Sequence, residues 1–138
     1  MTIWQTLEEA DQSDSFPLED ILSAIPWNQD GLIAAIAQEH DTKDMLMLAW
    51  MNKEALIETL STRQVCYWSR SRQSLWRKGE TSGHVQHLID ARFDCDGDAL
   101  LLIVNQQGAA CHTGRPNCFY NAIRGEQIVV TCSKPNNV

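Results

Sequence analysis

The first half of the chain alternates short apolar runs with turn-forming clusters. Residues 32–38 form an apolar run of strand length, entered through Asn28-Gln29-Asp30-Gly31. A second run covers residues 45–51, and Asp41-Thr42-Lys43-Asp44 lies between the two, so the pair reads as a hairpin. Asn52 is a good N-cap for a helix through about residue 61, with Ala55, Leu56 and Leu60 on one face. Pro17-Leu18-Glu19-Asp20-Ile21-Leu22 reads as a shorter helix, with proline at an early position and acids in the first turn.

Further along, residues 65–69 read as a short strand and residues 71–83, polar and glycine-containing, as a loop. Residues 85–93 alternate weakly, and residues 99–105 form a continuous apolar strand expected to be buried on both faces. Residues 119–124 and 127–131 make a terminal hairpin across Gly125-Glu126. Residues 1–15 read as a loose polar extension, and 16–138 as one domain. The expected fold class is α+β: a β-rich single domain of mixed and antiparallel strands with two or three short helices.

Composition narrows the functional classes. Hydrophobic residues at 43% and charged residues at 21% are ordinary globular values. No apolar run reaches the roughly 18 residues that span a bilayer, and residues 1–14 are acidic without the apolar middle of a secretory signal. A cytoplasmic location is therefore expected. A net charge of −7 argues against general nucleic-acid binding, which rests on Lys and Arg neutralising phosphates. The local distribution says more. Five of the 11 basic residues (Arg63, Arg70, Arg72, Arg77, Lys78) share one short stretch, and Glu80 is the only acid between Ser61 and Ile89. An acidic protein with one cationic segment is suited to receive a compact anion.

That segment, Tyr67-Trp68-Ser69-Arg70-Ser71-Arg72 and Trp76-Arg77-Lys78-Gly79-Glu80-Thr81-Ser82-Gly83, mixes cations, hydroxyls, glycines and aromatic faces. Glycine lets backbone amides approach an anion, arginine offers bidentate donors to phosphate, and Trp68 or Trp76 can stack on a heterocycle. The plain alternative is a basic surface loop with its tryptophans in the core. No Walker-type or paired-glycine dinucleotide motif occurs.

Asp94-Cys95-Asp96-Gly97-Asp98 is the most informative segment. If it is extended, the three carboxylates share one face and Cys95 points to the other. Oxygen ligands suit Mg²⁺ and thiolate suits Zn²⁺; the alternative is a solvated acidic turn. An EF-hand loop is excluded, because Ala99 and Asn105 occupy the positions that require Gly and Glu.

Five cysteines in a reducing compartment suggest metal binding or catalysis rather than a disulfide framework. Cys66 and Cys132 sit in strand-like apolar runs and read as small buried hydrophobes. Cys111 and Cys118 flank a Gly- and Pro-rich turn, and with Cys95 they would make a three-thiolate site with an open fourth position, the pattern of catalytic zinc. A closed structural site with Cys66, Cys132 or a histidine as fourth ligand stays open as an alternative. Three thiolates blunt the acidity of bound water, so His112, next to Cys111, is the candidate general base.

Taken together, these motifs resemble the phosphoribosyl-AMP cyclohydrolase family. The similarity runs from about Trp27 to Tyr120 and includes Asp30-Gly31-Leu32-Ile33, Leu46-Met47-Leu48-Ala49-Trp50-Met51-Asn52 and Ala110-Cys111-His112-Thr113-Gly114 besides the segments already quoted. The resemblance implies Mg²⁺ held by Asp94, Asp96 and Asp98, and zinc held by Cys95, Cys111 and Cys118, shared across an intertwined homodimer. It implies nucleotide contacts from Trp68, Ser69, Arg70, Arg72, Lys78, Thr81 and Ser82. The implied reaction, a step of histidine biosynthesis, adds water at C6 of an N1-phosphoribosylated adenine nucleotide and breaks N1–C6.

Departures are small. Ala34 replaces a common proline, and His84 stands where the family usually has Asn, which puts one substrate contact in question. Many relatives carry a second, pyrophosphohydrolase domain; with its end at Val138 this chain is expected to be monofunctional. Two rivals remain to be weighed. A zinc nucleobase deaminase needs His-x-Glu and Pro-Cys-x-x-Cys, and neither occurs. A zinc-stapled nucleotide-binding module without catalysis would use the same thiols as a closed site.

Overall fold

Alternation in the first apolar run decides how the sheet is built. In β1 (Ile33–Glu39), Ile33, Ala35 and Ala37 are buried in strict alternation. Here two alanines allow close packing at the centre. The computed structural model describes residues 1–135; the last three positions of the expected 16–138 unit lie outside the described residues. β2 (Met45–Met51) runs antiparallel to β1, with Ile33 opposite Met51 and Ala37 opposite Met47, as the expected hairpin requires. Asn52 then caps α3 (Lys53–Thr62), its side-chain oxygen accepting from the Ala55 amide at 2.8 Å.

Two short helices precede β1: α1 (Ile3–Glu8) and α2 (Leu18–Leu22). The first corrects the expectation of a loose extension. Thr2 and Gln5 form a capping box, and Trp4 turns back onto the domain. The Trp4 indole N–H donates to the Ala24 carbonyl at 2.8 Å, and its ring meets Phe93 edge-on at 5.4 Å. One tryptophan outweighs a polar composition once it finds an apolar seat.

Five further strands follow α3 before the terminal ribbon's second half: β3 (Cys66–Ser69), β4 (Ser74–Arg77), β5 (Gln86–Phe93), β6 (Ala99–Gln106) and β7 (Asn121–Arg124), then β8 (Gln127–Val130). β4 is a second correction, because residues 71–83 read as a loop. Only its four central residues pair with β3, placing Tyr67 opposite Trp76 and Trp68 opposite Leu75. That run is too short and too polar at its ends to signal a strand in the sequence.

The six-stranded sheet has the order β4-β3-β2-β1-β6-β5, with β1 and β6 parallel and every other pair antiparallel. It curls until the residues leading into β3 reach β5 at the far edge. Arg63, in the left-handed conformation at the end of α3, accepts from the Leu88 amide at 2.7 Å, and the Val65 amide donates to Gln86 at 3.0 Å. Inside that junction the Tyr67 hydroxyl donates to Gln86 Oε1 at 2.7 Å, and Gln86 Nε2 donates to Gln106 Oε1 at 2.9 Å. Both Tyr67 and Gln86 are fully buried, so each polar atom here needs its partner.

The core lies inside the curl, built from Met51, Leu56, Leu100, Leu102 and Val104 with α3 as a lid. In β6, Leu102, Ile103 and Val104 are buried in succession while Leu101 is half-buried, so burial on both faces holds for the middle of the strand. β7 and β8 pair only with each other and project from the domain. The result is a strand-rich α+β domain with three short helices among the described residues.

Cys66 is fully buried beside Thr59, whose hydroxyl accepts from the Cys66 amide at 2.9 Å. Burial, reinforced by the Glu58 carboxylate, pushes its thiol from 9.0 up to about 12. The unfolded chain releases this proton above pH 9 while the folded chain keeps it, so folding stability falls as pH rises through that window. Denaturant titrations between pH 8 and pH 11 are expected to show a shallower decline for Cys66→Ala than for the parent chain.

Candidate active site

β4 runs straight into the glycine-rich stretch 79–83, and the curl of the sheet sets that stretch against the loop that follows β6. Gly79 (φ +81°) and Gly83 (φ +82°) take left-handed conformations, and the Gly83 amide donates to the Gly79 carbonyl at 2.8 Å. A cleft of about 400 Å³ opens between the two segments. Arg72, Lys78, Thr81 and Ser82 line one side, and Cys111 and His112 the other.

Four of the expected nucleotide contacts therefore converge with the candidate base. The other three do not line this cleft. Trp68, Ser69 and Arg70 face an open, adjoining recess of about 590 Å³, and Trp76 forms part of the wall of both. The Arg70 guanidinium stacks over Trp50 at 5.0 Å. Arg77 is turned away to an ion pair with Glu58, with nitrogen–oxygen distances of 2.8 and 2.9 Å.

Lys78 is a buried cation. Its ammonium donates to the Ala110 carbonyl at 2.7 Å and lies 5.6 Å from the Trp76 ring centre. Burial pulls its pKa down, opposed by the sulfurs of Cys118 and Cys111 close by. One of this side chain's three donors therefore helps to hold the loop that carries Cys111. A buried lysine bound to a carbonyl was not foreseeable from its place in a run of cations.

Cys111 and Cys118 come together as the Gly- and Pro-rich turn suggests. The Cys118 amide donates to Leu46 at 2.8 Å and the Cys111 amide to Arg115 at 3.2 Å, fixing the ends of the loop. Burial raises the Cys111 thiol, but Thr113, donating through its hydroxyl at 3.1 Å, and the neighbouring Cys118 bring it below the usual thiol value. Partial removal from water and the adjacent Cys111 push Cys118 up to about 11. Two soft donors thus share one environment, and neither is in a disulfide.

Cys95 lies elsewhere. The turn 94–98 and the loop 107–118 leave opposite ends of β6, whose eight residues extend about 26 Å at the usual rise. Cys95 is exposed and opens onto a different recess, about 540 Å³, walled by Trp4, Phe16, Ile21 and Phe93. This recess is larger than the cleft, yet it is mainly apolar and carries no cation. Among the described residues, no group within one chain brings the three thiols together.

Asp94, Asp96 and Asp98 do converge, with one carboxylate oxygen from each within 4.8 Å of the others. They do so in a tight turn and not on an extended strand, which corrects the route though not the outcome. Gly97 (φ +77°) makes the turn, and Asp94 Oδ1 accepts from the Asp98 and Ala99 amides at 3.1 and 3.3 Å. A Cβ at residue 97 would overlap the Trp4 ring. Crowding by Asp96 and Asp94 pushes Asp98 up to about 6, the mark of carboxylates short of positive charge.

Sequence reasoning treated His84 only as a departure and did not place it. Its side chain lines the cleft opposite Cys111, beside Ser82. The signal was available, since a histidine closing a Gly-rich cationic stretch sits where that stretch turns into β5.

A cationic, hydroxyl-rich cleft walled by an aromatic ring, with a thiol and an imidazole at its edge, has the chemistry that suits an anionic heterocyclic small molecule. The family model for phosphoribosyl-AMP cyclohydrolase matches residues 47–120. The chain is 65% identical over 127 residues to "Phosphoribosyl-AMP cyclohydrolase 2" of Pseudomonas fluorescens, covering 92% of this chain and 86% of that protein. It is 59% identical over 124 residues to the phosphoribosyl-AMP cyclohydrolase of Halorhodospira halophila, covering 90% and 87%. To that of Hydrogenovibrio crunogenus it is 60% identical over 127 residues, covering 92% and 86%. The chain belongs to the phosphoribosyl-AMP cyclohydrolase family.

The cleft's shape rests on residue 79, where a Cβ would run into the backbone of His84 and Val85. Left-handed strain and that overlap together are expected to cost Gly79→Ala about 3 kcal/mol, measurable by denaturant unfolding.

Proposed function

We propose that this enzyme opens the adenine ring of 1-(5-phosphoribosyl)-AMP by hydrolysis of the N1–C6 bond, giving the formimino carboxamide imidazole nucleotide of histidine biosynthesis. The observation that carries this reading is the convergence of Arg72, Thr81, Ser82 and the Cys111–His112 edge on one cleft, in a chain of this family. Cations and hydroxyls bind the phosphates, and the Trp76 face is available to the purine. Held this way, the substrate presents C6 toward the Cys111–His112 edge.

His112 is exposed at that edge and is the group proposed to take the proton of the attacking water. The water oxygen bonds to C6, the N1–C6 bond breaks, and its electron pair stays on N1, which receives a proton. C6 becomes the carboxamide carbon and N1 part of the formimino group.

The donor sets suit two different metals. Cys111 and Cys118 are adjacent soft donors, and Cys95 is an exposed third beyond the other end of β6. We read zinc as held by Cys95 of one subunit with Cys111 and Cys118 of its partner, in a homodimer. Exposed apolar side chains on the terminal ribbon, among them Ile123, Ile128 and Val130, support a second copy covering that surface. Bound there, zinc would supply Lewis-acid activation of water. The crowded oxygens of Asp94, Asp96 and Asp98 suit Mg²⁺, a hard cation. Among the described residues no helix is long and apolar enough to cross a membrane.

Ring opening of phosphoribosyl-AMP, followed by absorbance, is expected to disappear on full zinc chelation and return when zinc is restored; activity that survives chelation sinks the reading. His112→Ala is expected to lower kcat by at least about 100-fold with zinc content unchanged by metal analysis. Loss of zinc in that variant would make His112 a ligand instead.

A further inference from the structure

His84 is held in place by its surroundings more firmly than a surface histidine needs to be. Its amide donates to Ser82 Oγ at 3.2 Å, and its carbonyl accepts from Gln106 Nε2 at 3.1 Å. On the far side the ring rests on Gly108, where a Cβ would come within 2.5 Å of Cδ2 and 2.8 Å of Nε2. Gly108 (φ +66°) is thus the seat of the imidazole as well as a turn. The side chain is half-buried and lines the cleft, yet among the described residues neither ring nitrogen has a protein hydrogen-bond partner.

The cleft is poorer in free arginine than its sequence suggests. Arg77 pairs with Glu58 and Glu80 brings a carboxylate to the lining, while Lys78 gives one of its three donors to Ala110. Arg72, with its Nε near Ser69 Oγ at 3.4 Å, and the rest of the Lys78 ammonium remain. A phosphate monoester presents three acceptor oxygens and binds well only where several donors converge. A fixed imidazole beside the Thr81 and Ser82 hydroxyls supplies a further donor.

We propose that His84 is a phosphate-binding residue of this cleft, its imidazole seated on Gly108 and donating a hydrogen bond to one phosphate monoester of the bound nucleotide. The proposal rests on the functional reading above and adds to it the group that holds one phosphate. It assigns binding to His84 and proton transfer to His112, so the two imidazoles affect different kinetic constants.

The test uses the full chain loaded with zinc and magnesium. His84→Ala is expected to raise KM for phosphoribosyl-AMP about tenfold or more, the usual effect of losing a hydrogen bond to a charged group, with kcat within about twofold. His84→Gln, which keeps an N–H donor, is expected to recover part of that loss. Gly108→Ala, which displaces the ring, is expected to raise KM as well, and combining it with His84→Ala should add little. An unchanged KM in His84→Ala, a kcat loss at constant KM, or full additivity with Gly108→Ala would overturn the assignment. Calorimetric titration with AMP and with ribose 5-phosphate, which carry one phosphate of the substrate each, separates this from the function itself. Weaker binding of either by His84→Ala supports the phosphate contact even if the parent chain opens no ring, whereas equal binding of both refutes it.

Discussion

Closure of the curled sheet is the constraint on which everything else in this molecule rests. The backbone bonds Leu88–Arg63 and Val65–Gln86 join the start of β3 to the start of β5, and the Tyr67–Gln86–Gln106 side chains satisfy that junction from within. The Tyr67–Gln86 bond lies in the dry interior and is costly to break, since the groups left behind cannot reach water. Because the seam holds, the stretch after β4 meets the loop after β6. Without it Lys78 would not reach Ala110, and the cationic segment would sit apart from the thiols and the imidazoles. A buried polar chain, and not apolar packing alone, therefore gives the cleft its shape.

Much of this architecture is legible in residue patterns. The hairpin of β1 and β2, the Asn52 cap, the apolar run of β6 and the terminal ribbon all declare themselves through local chemistry, and each is present. What escaped was set by contacts distant in sequence. β4 is a strand because β3 offers it a partner, and α1 is docked because Trp4 finds Phe93 and Ala24. Pairing order, including the parallel contact of β1 with β6, leaves no trace in local periodicity.

The site divides in the same way. Residue types announced an anion cleft with thiols and an imidazole, and Arg72, Thr81, Ser82, Cys111 and His112 do meet there. Charge counting overstated the cleft's positive character, since Arg77 is turned away to Glu58, while Lys78 keeps its charge and ties one donor to Ala110. Which cations are spent on structure and which remain for a ligand is a question of pairing, and sequence order does not record it. The acidic turn shows the complementary case: convergence of the carboxylates was right, but Gly97 achieves it by bending the chain.

The seat of Trp4 on Gly97 links the beginning of the chain to the acidic turn. No side chain fits at residue 97 while the indole lies there, and the indole loses its seat if the turn changes shape. The two positions are therefore coupled in their tolerance of change despite their distance in sequence. A lineage that enlarges residue 97 must first shrink or expel the aromatic ring, so drift at either position is constrained by the other.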